Sequence, residues 1–470
     1  MHRRRCHALA AAALLLTLAL TGCRSYQAQP LDLPAYQNEW KQRDLTSPSV
    51  AAFAEQLATR HEDDDADPPP AFDPDDGLTL DEAEAVTLLL NPHLRTLRLR
   101  AQVPLMGARN AGQWQDPSIS FNALRILESV QDPWILGGGL ALTLPLSGRL
   151  AVERDLAWSE YDAAWREAAL AEWETLNELR QAWLRWSATQ QEAALLREYL
   201  AHLEPVQESA ERLVEVGELP ATDARVLQME TARRAVELTH LQAQADQQRI
   251  AVLRLLGLSP AASVDLVASL NLPAPNMDAD AAQAAILEHP ELILAQARYD
   301  AAEHRLHREI RKQYPDLTIG PATQWEEGQS RIGLSGALPI PLWNRNSRAI
   351  EEAESARDAA RAETHALLQS LTHRLDTLHR QQQSGHARRR TLEEDVAPLV
   401  DQQMQEMQQL IELGELNILL LYDALQRSLQ TKQAMLQATR EQASASAAIR
   451  AMLQPRWAIE PAQDASKERK

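Results

Sequence analysis

The sequence predicts a mainly α-helical protein with a small β part, built from two copies of a unit in which a strand pair precedes a long helical hairpin. The first observation is a repeated stretch, because Val214-Glu215-Val216-Gly217-Glu218-Leu219 recurs as Ile411-Glu412-Leu413-Gly414-Glu415-Leu416. The second is composition: 16 Gly, 4% aromatic and 45% hydrophobic residues, with many Ala and Leu, are typical of long helices. The third is a pair of short stretches in which apolar residues alternate with small or polar ones, as in strands.

Each copy of the repeated stretch is predicted to be the tip of a helical hairpin. A Gly follows an apolar run that is compatible with a helix, which is a common way for a helix to end in a left-handed turn. Pro220 follows the first copy and Asn417 the second. Thr222 and Asp223 are predicted to cap the helix that leaves the first tip. Two equivalent tips indicate an internal duplication.

The net charge limits the class of partner. The formal charge is −19, and removal of residues 1–22, which carry Arg3, Arg4 and Arg5, changes it to −22. Such an acidic chain is not expected to bind nucleic acid, which requires a basic face to neutralise phosphate. It is compatible with an acidic solvated surface or with a water-filled space that favours cations.

The N-terminus predicts export and lipid attachment. Residues 1–22 combine three arginines with a short apolar run and form a lipoprotein signal peptide. The run ends in Leu20-Thr21-Gly22-Cys23, which resembles a bacterial lipobox, so Cys23 is predicted to be the lipidated (palmitate-bearing) first residue. By resemblance to other lipoproteins, Arg24 after that Cys implies the outer membrane. The second cysteine, Cys6, lies in the signal peptide, so the mature chain is predicted to hold no internal disulfide.

The remaining chain divides into five predicted segments. Residues 23–77 are a Pro- and Asp-rich segment, predicted to be a largely extended tether with one short helix near Val50–Thr59. Two repeats follow, separated by a Pro/Asn-rich connector, and a polar tail ends the chain. The predicted bounds are 78–257 for the first repeat, 258–280 for the connector, 281–453 for the second repeat and 454–470 for the tail.

Within each repeat the same elements are predicted in the same order. Strand pairs are expected at about 117–146 and 317–340, and hairpin tips at about 214–223 and 411–423. Long helices of about 149–215 and 345–412 follow the strands, with apolar residues at the 3-4-3 spacing of a coiled coil. Pro321 falls inside the expected third strand, a position that a ladder tolerates poorly. After residue 22 no apolar run reaches 20 residues, so a membrane could be crossed only by strands that close into a barrel.

Several short motifs in this order resemble the outer membrane efflux protein family, the TolC-like exit ducts of Gram-negative bacteria. The resemblance covers roughly 78–453. It is carried by Leu78-Thr79-Leu80-Asp81-Glu82-Ala83, by Asn91-Pro92 and His289-Pro290, by Leu144-Pro145-Leu146-Ser147-Gly148-Arg149, by Leu338-Pro339-Ile340-Pro341-Leu342-Trp343-Asn344-Arg345, and by both tips. The Pro339–Asn346 stretch is most similar to the branch of heavy-metal cation efflux outer membrane lipoproteins.

The resemblance implies an architecture and a set of partners. It implies a homotrimer whose protomers share one twelve-stranded outer membrane β-barrel, continued by a periplasmic α-helical barrel. Four strands alone would leave edges exposed to lipid, so the physical expectation agrees with assembly. The implied function is a passive exit duct in a tripartite efflux system, with metal cations as the expected cargo. The implied partners are outer membrane lipid, a periplasmic adaptor (membrane fusion) protein and an inner-membrane pump of the RND type.

The resemblance also assigns roles to residues near the tips. Adaptor docking is expected at both tips, and the constriction or gate at three polar side chains, with Leu420 in a place where some members have another acid. The docking residues are Val216, Gly217, Glu218, Leu219, Leu413, Gly414, Glu415 and Leu416, and the gate residues are Thr222, Asp223 and Asp423. The simpler alternative is that the glycines only end helices and the aspartates only cap or solvate them.

No enzyme, cofactor or metal site is predicted. His304 and His307 lie at i,i+3 on one helix and could share a metal, but a solvated helix face is the interpretation that the sequence favours. Three alternatives to a metal-ion duct stay open at this point: a multidrug or type I secretion duct of the same build, a periplasmic adaptor, and a structural coiled-coil lipoprotein. An adaptor is expected to have one hairpin with β-rich flanking domains, and a coiled-coil lipoprotein needs no amphipathic strands.

Overall fold

The computed structural model describes residues 25–43, 45, 50–53, 72, 76–128, 133–272, 275, 278–326, 329–412 and 418–454. The chain divides into two compact units, residues 1–43 and residues 44–470. In the first unit, helix α1 spans Leu33–Lys41 and is capped by Asp32, whose carboxylate accepts a hydrogen bond of 3.0 Å from the Ala35 N–H. The prediction of a largely extended segment is therefore wrong here, because Asp32 and Pro34 together start a helix.

The second unit contains the two repeats. The first repeat comprises α2 (Leu80–Leu90), α3 (Pro92–Arg109), β1 (Ser118–Arg125), β2 (Trp134–Leu144), α4 (Arg149–Glu215) and α5 (Ala221–Leu255). The second comprises α6 (Ala279–Leu287), α7 (Pro290–Arg311), β3 (Leu317–Glu326), β4 (Gln329–Ala337), α8 (Ser347–Thr391), α9 (Ala397–Glu412) and α10 (Ile418–Leu453). The predicted order of elements is confirmed in both halves. Helix α4 has 67 residues, which at ~1.5 Å per residue is about 100 Å.

The second long helix differs from the first at one place. A π-helical turn, Leu392–Val396, separates α8 from α9, whereas α4 continues through Pro205 without a break. A π turn adds a residue to the helix and breaks the normal i→i−4 ladder. The predicted single helix over 345–412 is thus two α-helices joined by this turn.

The start of each repeat is fixed by side-chain caps. Thr79 and Glu82 form the predicted capping box, in which each side chain accepts the backbone N–H of the other. Asn91 caps α3 and also donates 2.8 Å to the carbonyl of Leu255, which ties the beginning of α3 to the end of α5. In the second repeat the fully buried His289 takes the capping position, and its Nδ1 accepts the N–H of Glu291 at 3.3 Å.

The core follows the predicted seams of the long helices. Leu179 and Trp183 of α4 are fully buried against α2 and the end of α5. Leu371 and Leu375 of α8 are buried against α6 and α10. A buried ion pair, Arg180 with Glu84, fastens α4 to α2, with Nη2 and Oε2 2.9 Å apart. Among the described residues, no helix has the length and apolar character needed to cross a membrane.

The four strands form one antiparallel sheet in the order β1-β2-β3-β4. The two repeats therefore share this sheet through the β2–β3 pairing. Pro321 lies within β3, and the ladder to β2 is interrupted there, between the pairs Gly139–Ala322 and Leu142–Ile319. Proline has no N–H to donate, so the chain keeps its register but loses hydrogen bonds at this point. At the neighbouring Gly320, a Cβ would lie 1.6 Å from the Leu140 carbonyl oxygen, so only glycine fits.

Candidate functional site

The first hairpin tip closes with a left-handed glycine. Gly217 has a φ of +79°, and the N–H groups of Glu218 and Leu219 both donate to the carbonyl of Leu213. This pattern satisfies carbonyl groups that the end of α4 leaves unpaired. Val216 beside it is 70% exposed, and a Cβ placed on Gly217 would meet no atom within 4 Å. The tip therefore presents a smooth, open turn with one exposed apolar side chain.

The predicted cap of α5 is wrong. Pro220 occupies the capping position, and no side chain caps the helix. The N–H of Asp223 donates 3.0 Å to the Pro220 carbonyl, while the Thr222 hydroxyl donates 3.2 Å to the Asp223 carboxylate. Proline pre-sets the backbone for helix entry and so replaces a side-chain cap. Thr222 and Asp223 therefore do not cap α5; they lie near the tip, where their side chains are hydrogen-bonded to each other.

The second tip is described only on its returning side. Leu413, Gly414, Glu415 and Leu416 lie outside the described residues. Asp423 of α10 lies close by, and its carboxylate accepts 2.9 Å from Arg427 Nε, one helical turn further along. Leu420 is about half exposed. The carboxylate of Asp423 is thus paired with an adjacent cation, a contact that the tip motif itself does not indicate.

A buried polar layer, composed of Tyr199, Glu230, Arg234 and Tyr422, lies further along the hairpins. Arg234 Nε donates 2.7 Å to the Glu230 carboxylate, and both side chains are only 9% exposed. The Arg234 guanidinium lies 5.8 Å from the centre of the Tyr199 ring. Because these residues come from α4, α5 and α10, the layer joins the two hairpins. Sequence reasoning missed it, since Tyr199 and Tyr422 are far in the chain from the Glu230–Arg234 pair and none of the four belongs to a motif.

Burial and charge shift the titration of this layer. Burial, followed by the negative charge of Glu230, raises the pKa of Tyr199 to about 12. Burial also raises the pKa of Tyr422, again with a contribution from Glu230. Burial acts to raise the pKa of Glu230, but hydrogen bonds and charges from Arg233 and Arg234 outweigh it and lower the pKa. The layer therefore holds one ionised pair between two neutral tyrosines at neutral pH.

The sheet has one apolar face on which large side chains are exposed. Cross-strand register places the odd positions of β1 and β3 on the same face as the even positions of β2 and β4. Phe121 is 89% exposed and Ile332 87% exposed on this face. Its other large members are Ile119, Trp134, Leu136, Leu140, Leu142, Leu144, Leu317, Ile319, Trp325 and Leu334. An exposed continuous apolar face of this kind marks a surface that contacts lipid or another protein.

The opposite face is polar and small. Ser120 and Asn122 stand opposite Gly139 and Gly137, and Gln324 stands opposite Arg331. The hydroxyls of Thr143 and Thr318 lie 3.2 Å apart across β2 and β3. The exception is the Leu124–Ile135 pair. Side chains of this chemistry suit contact with water, so the two faces of the sheet require different surroundings.

Aromatic side chains mark both ends of the sheet. At the end where each strand pair turns, called the turn end here, Trp134 stands opposite Arg125, whose guanidinium lies 5.9 Å from its ring. At the end where the strands meet the helices, called the helix end, Trp114, Tyr314 and Trp343 are exposed. Aromatic residues at both limits of an apolar band are typical of a sheet that crosses a lipid bilayer.

The remaining predicted sites stand as follows. Cys23 lies outside the described residues. His307 Nε2 accepts 3.2 Å from Arg311 Nε, so its ring is engaged with a cation. Across the described ranges, no group of three or more His, Cys, Asp and Glu side chains is arranged to hold a metal ion, and the His304–His307 pair has no third ligand there.

Comparison with known proteins identifies the fold. No protein-family model matches the chain. The outer membrane protein VceC of Vibrio cholerae superposes with a TM-score of 0.67 at 19% identity, covering 80% of this chain and 95% of that one. The MtrE outer membrane channel of Neisseria gonorrhoeae, in its open state, gives 0.64 at 15% identity, covering 80% and 88%. The chain has the TolC-like fold of outer membrane channels. The resemblance drawn from the sequence is thus confirmed for the fold.

One curated relative also shares sequence. The cobalt-zinc-cadmium resistance protein CzcC of Cupriavidus metallidurans is 28% identical over 228 residues. That match covers 47% of this chain, which spans about half the length of the relative (53%). The TolC-like fold and this partial match together make the sheet and the tips the candidate functional regions of the chain.

Proposed function

We propose that this protein is the outer membrane exit duct of a tripartite efflux system, conducting its cargo passively to the exterior. The observation that carries the proposal is the sheet, whose apolar face is exposed while its other face is polar. Its strands have 8 to 11 residues, close to the roughly 9–11 that a tilted strand needs to cross a bilayer. In water, such a face would cause aggregation; in lipid, it is satisfied.

Both edges of the sheet favour assembly of several copies. β1 and β4 are edge strands, and every residue of both is exposed. Open edges in lipid leave backbone N–H and C=O groups without hydrogen bonds, at a cost of several kcal/mol each. Pairing β4 of one copy with β1 of the next removes every edge once the ring closes. We propose a homotrimer, which by this arithmetic closes a twelve-stranded barrel from four strands per copy.

The partners follow from the same arrangement. The long helices α4, α5 and α8–α10 leave the sheet at its helix end, so the tips lie far from the proposed bilayer. We propose that the tips meet a periplasmic adaptor, which in turn meets an inner-membrane pump of the RND type, and that Cys23 is lipidated in the outer membrane. The described residues form two hairpins and one shared sheet, which favours a duct over the adaptor and the coiled-coil alternatives.

The proposed cargo is metal cations. The support is the name of the partial relative, a cobalt-zinc-cadmium resistance protein, together with the acidic charge of the chain. Fixed negative charge around a water-filled path raises the local concentration of cations. A duct for drugs or secreted proteins has the same architecture, so the cargo is decided by transport assays.

Three measurements test the proposal. Light scattering of the detergent-purified protein is expected to give three chains per particle, and a planar bilayer exposed to it is expected to show discrete conductance steps. A stable monomer with full β-sheet signal and no conductance would overturn the proposed duct. Mass spectrometry of the mature N-terminus is expected to show an acylated Cys23, and an unmodified terminus would remove the lipid anchor from the proposal.

A further inference from the structure

A cavity of about 280 Å³ lies at the helix end of the sheet, where β3 begins and β4 has ended. None of the tip residues lines it. It is lined mainly by Arg149, Lys312, Tyr314, Asp316, Pro339 and Pro341. Three separate segments meet there: the start of α4, the turn between α7 and β3, and the stretch that follows β4.

The surroundings of this cavity are cationic in a chain that is otherwise acidic. Six cationic side chains lie on these segments, namely Arg149, Arg308, Arg311, Lys312, Arg345 and Arg348. Their ion-pair partners are four carboxylates, Glu153, Glu309, Asp316 and Glu352. Of the charged side chains that line the cavity itself, Arg149 and Lys312 are cationic and Asp316 is anionic, so the lining carries one net positive charge and attracts an anionic group.

Two of these cations are available to a ligand. Lys312 lines the cavity, and its ammonium lies 2.9 Å from Glu309, a carboxylate that Arg308 and Asn346 also bind. Glu309 is thus satisfied without Lys312. Arg345 precedes Asn346 and is exposed, with no ion pair in the part of the chain that the structure describes. Because Asn346 and Lys312 both contact Glu309, the backbone of Arg345, the residue before Asn346, lies near the Glu309 contact of Lys312.

An exposed apolar strip adjoins this cationic site. After β4 ends at Ala337, the apolar side chains of Leu338, Ile340 and Leu342 are also exposed. Trp343 follows and is 92% exposed. A ligand at this place thus meets cations and hydrocarbon side by side, at the level where the proposed bilayer ends.

We infer that this cavity binds the phosphate group of an anionic glycerophospholipid of the periplasmic leaflet, with Lys312 and Arg345 supplying the charge and the Leu338–Trp343 strip contacting the acyl chains. A free phosphate would use the cations but leave the strip exposed. A phospholipid satisfies both, and cationic side chains at a membrane surface are known to select anionic headgroups. The inference rests on the proposed function, because it needs the sheet to lie in a bilayer.

The test uses the full-length assembled protein in nanodiscs of phosphatidylcholine doped with phosphatidylglycerol. After transfer to detergent, native mass spectrometry counts the phosphatidylglycerol molecules retained per particle. Lys312→Gln combined with Arg345→Gln is compared with Arg380→Gln combined with Arg390→Gln. The control pair also removes two exposed cations, which are paired on α8 with Asp376 and Glu394, away from the sheet.

The wild-type protein is expected to retain about one phosphatidylglycerol per protomer, and the control pair the same. Loss of two cations is expected to weaken retention about tenfold or more. Equal phosphatidylglycerol retention by the two double variants would overturn the inference. Displacement of the lipid by inorganic phosphate alone, or occupation of the cavity by the neighbouring copy, would overturn it as well. The conductance of the Lys312/Arg345 double variant is measured as well. A variant that conducts but retains no lipid bears on the lipid site alone, whereas a protein that fails to insert contradicts the proposed function.

Discussion

Replacement of Phe121 by arginine tests whether the apolar face of the sheet contacts lipid. Phe121 is the fourth residue of the eight-residue strand β1, so it lies near the middle of the proposed bilayer. It stands opposite Gly138, which leaves room for a larger side chain. Ser120→Arg is the matched control, because Ser120 is the next residue, stands opposite Gly139, and belongs to the polar face.

The expected magnitude differs sharply between the two surroundings. An arginine on the lipid face near the bilayer midplane costs about 2–4 kcal/mol. Three copies in one assembled barrel would raise this to roughly 6–12 kcal/mol, comparable to the whole stability of a typical domain. If the face contacted water instead, substitution of an 89% exposed side chain would change stability by only about 0.5 kcal/mol.

The assay compares the amount of assembled protein in the outer membrane fraction with total protein. Phe121→Arg is expected to be synthesised but nearly absent from the membrane fraction, whereas Ser120→Arg assembles normally and changes only conductance. Equal membrane abundance of the two variants would refute the assignment of the apolar face to lipid. Loss of both would indicate that β1 tolerates no charge, whichever face carries it.

Three further outcomes are expected. Gly217→Trp together with Gly414→Trp should leave trimer abundance near normal, because strain at the left-handed Gly217 is only about 1–2 kcal/mol. The same double variant should abolish export, because the indole rings block close approach of an adaptor. Normal export would exclude the tips as the docking site. Removal of Asp423 leaves the charge of Arg427 unpaired, so Asp423→Ala with Asp223→Ala should shift the reversal potential in the direction of anion selectivity. Arg427→Ala should shift it in the direction of cation selectivity. Unchanged reversal potentials in both variants would make these residues purely structural. Burial opposes ionisation of Glu309, but hydrogen bonds from Asn346, Lys312 and Arg308 outweigh burial and lower its pKa to about 2. The stability that ionised Glu309 contributes is therefore present above about pH 4.5 and is lost as the pH falls toward 2. Glu309→Gln should lower the melting temperature at pH 7 and should have the same melting temperature as the wild type near pH 2.

Much of the fold was predictable because local signals and the global duplication agree. The Thr79–Glu82 capping box and the Gly217 turn each depend on residues within a few positions of one another, so the sequence shows them directly. The alternation in both strand pairs predicted their faces as well as their limits. A repeat then doubled the evidence for every element.

The errors occurred where structure depends on distant or competing residues. The polar layer of Tyr199, Glu230, Arg234 and Tyr422 has no sequence signature, because packing of three helices brings its members together. Thr222 was predicted to cap α5 from its residue type alone, but Pro220 already sets the backbone at that place. Asp423 pairs with Arg427 one helical turn further along α10, a contact that the tip motif does not include.

The two repeats differ in what they bury, and this difference bears on assembly. Helix α4 buries side chains along its whole length, whereas α8 buries only Ala353, Leu371, Leu375 and Gly385. A helix of 45 residues with so narrow a buried seam is not stabilised by its own chain alone, since packing supplies most helical stability. The same copy leaves both sheet edges, β1 and β4, unpaired. Neighbouring copies arranged around one rotation axis would pair β4 of one copy with β1 of the next and would cover α8 at the same time. This is the physical reason to expect a closed ring rather than a monomer.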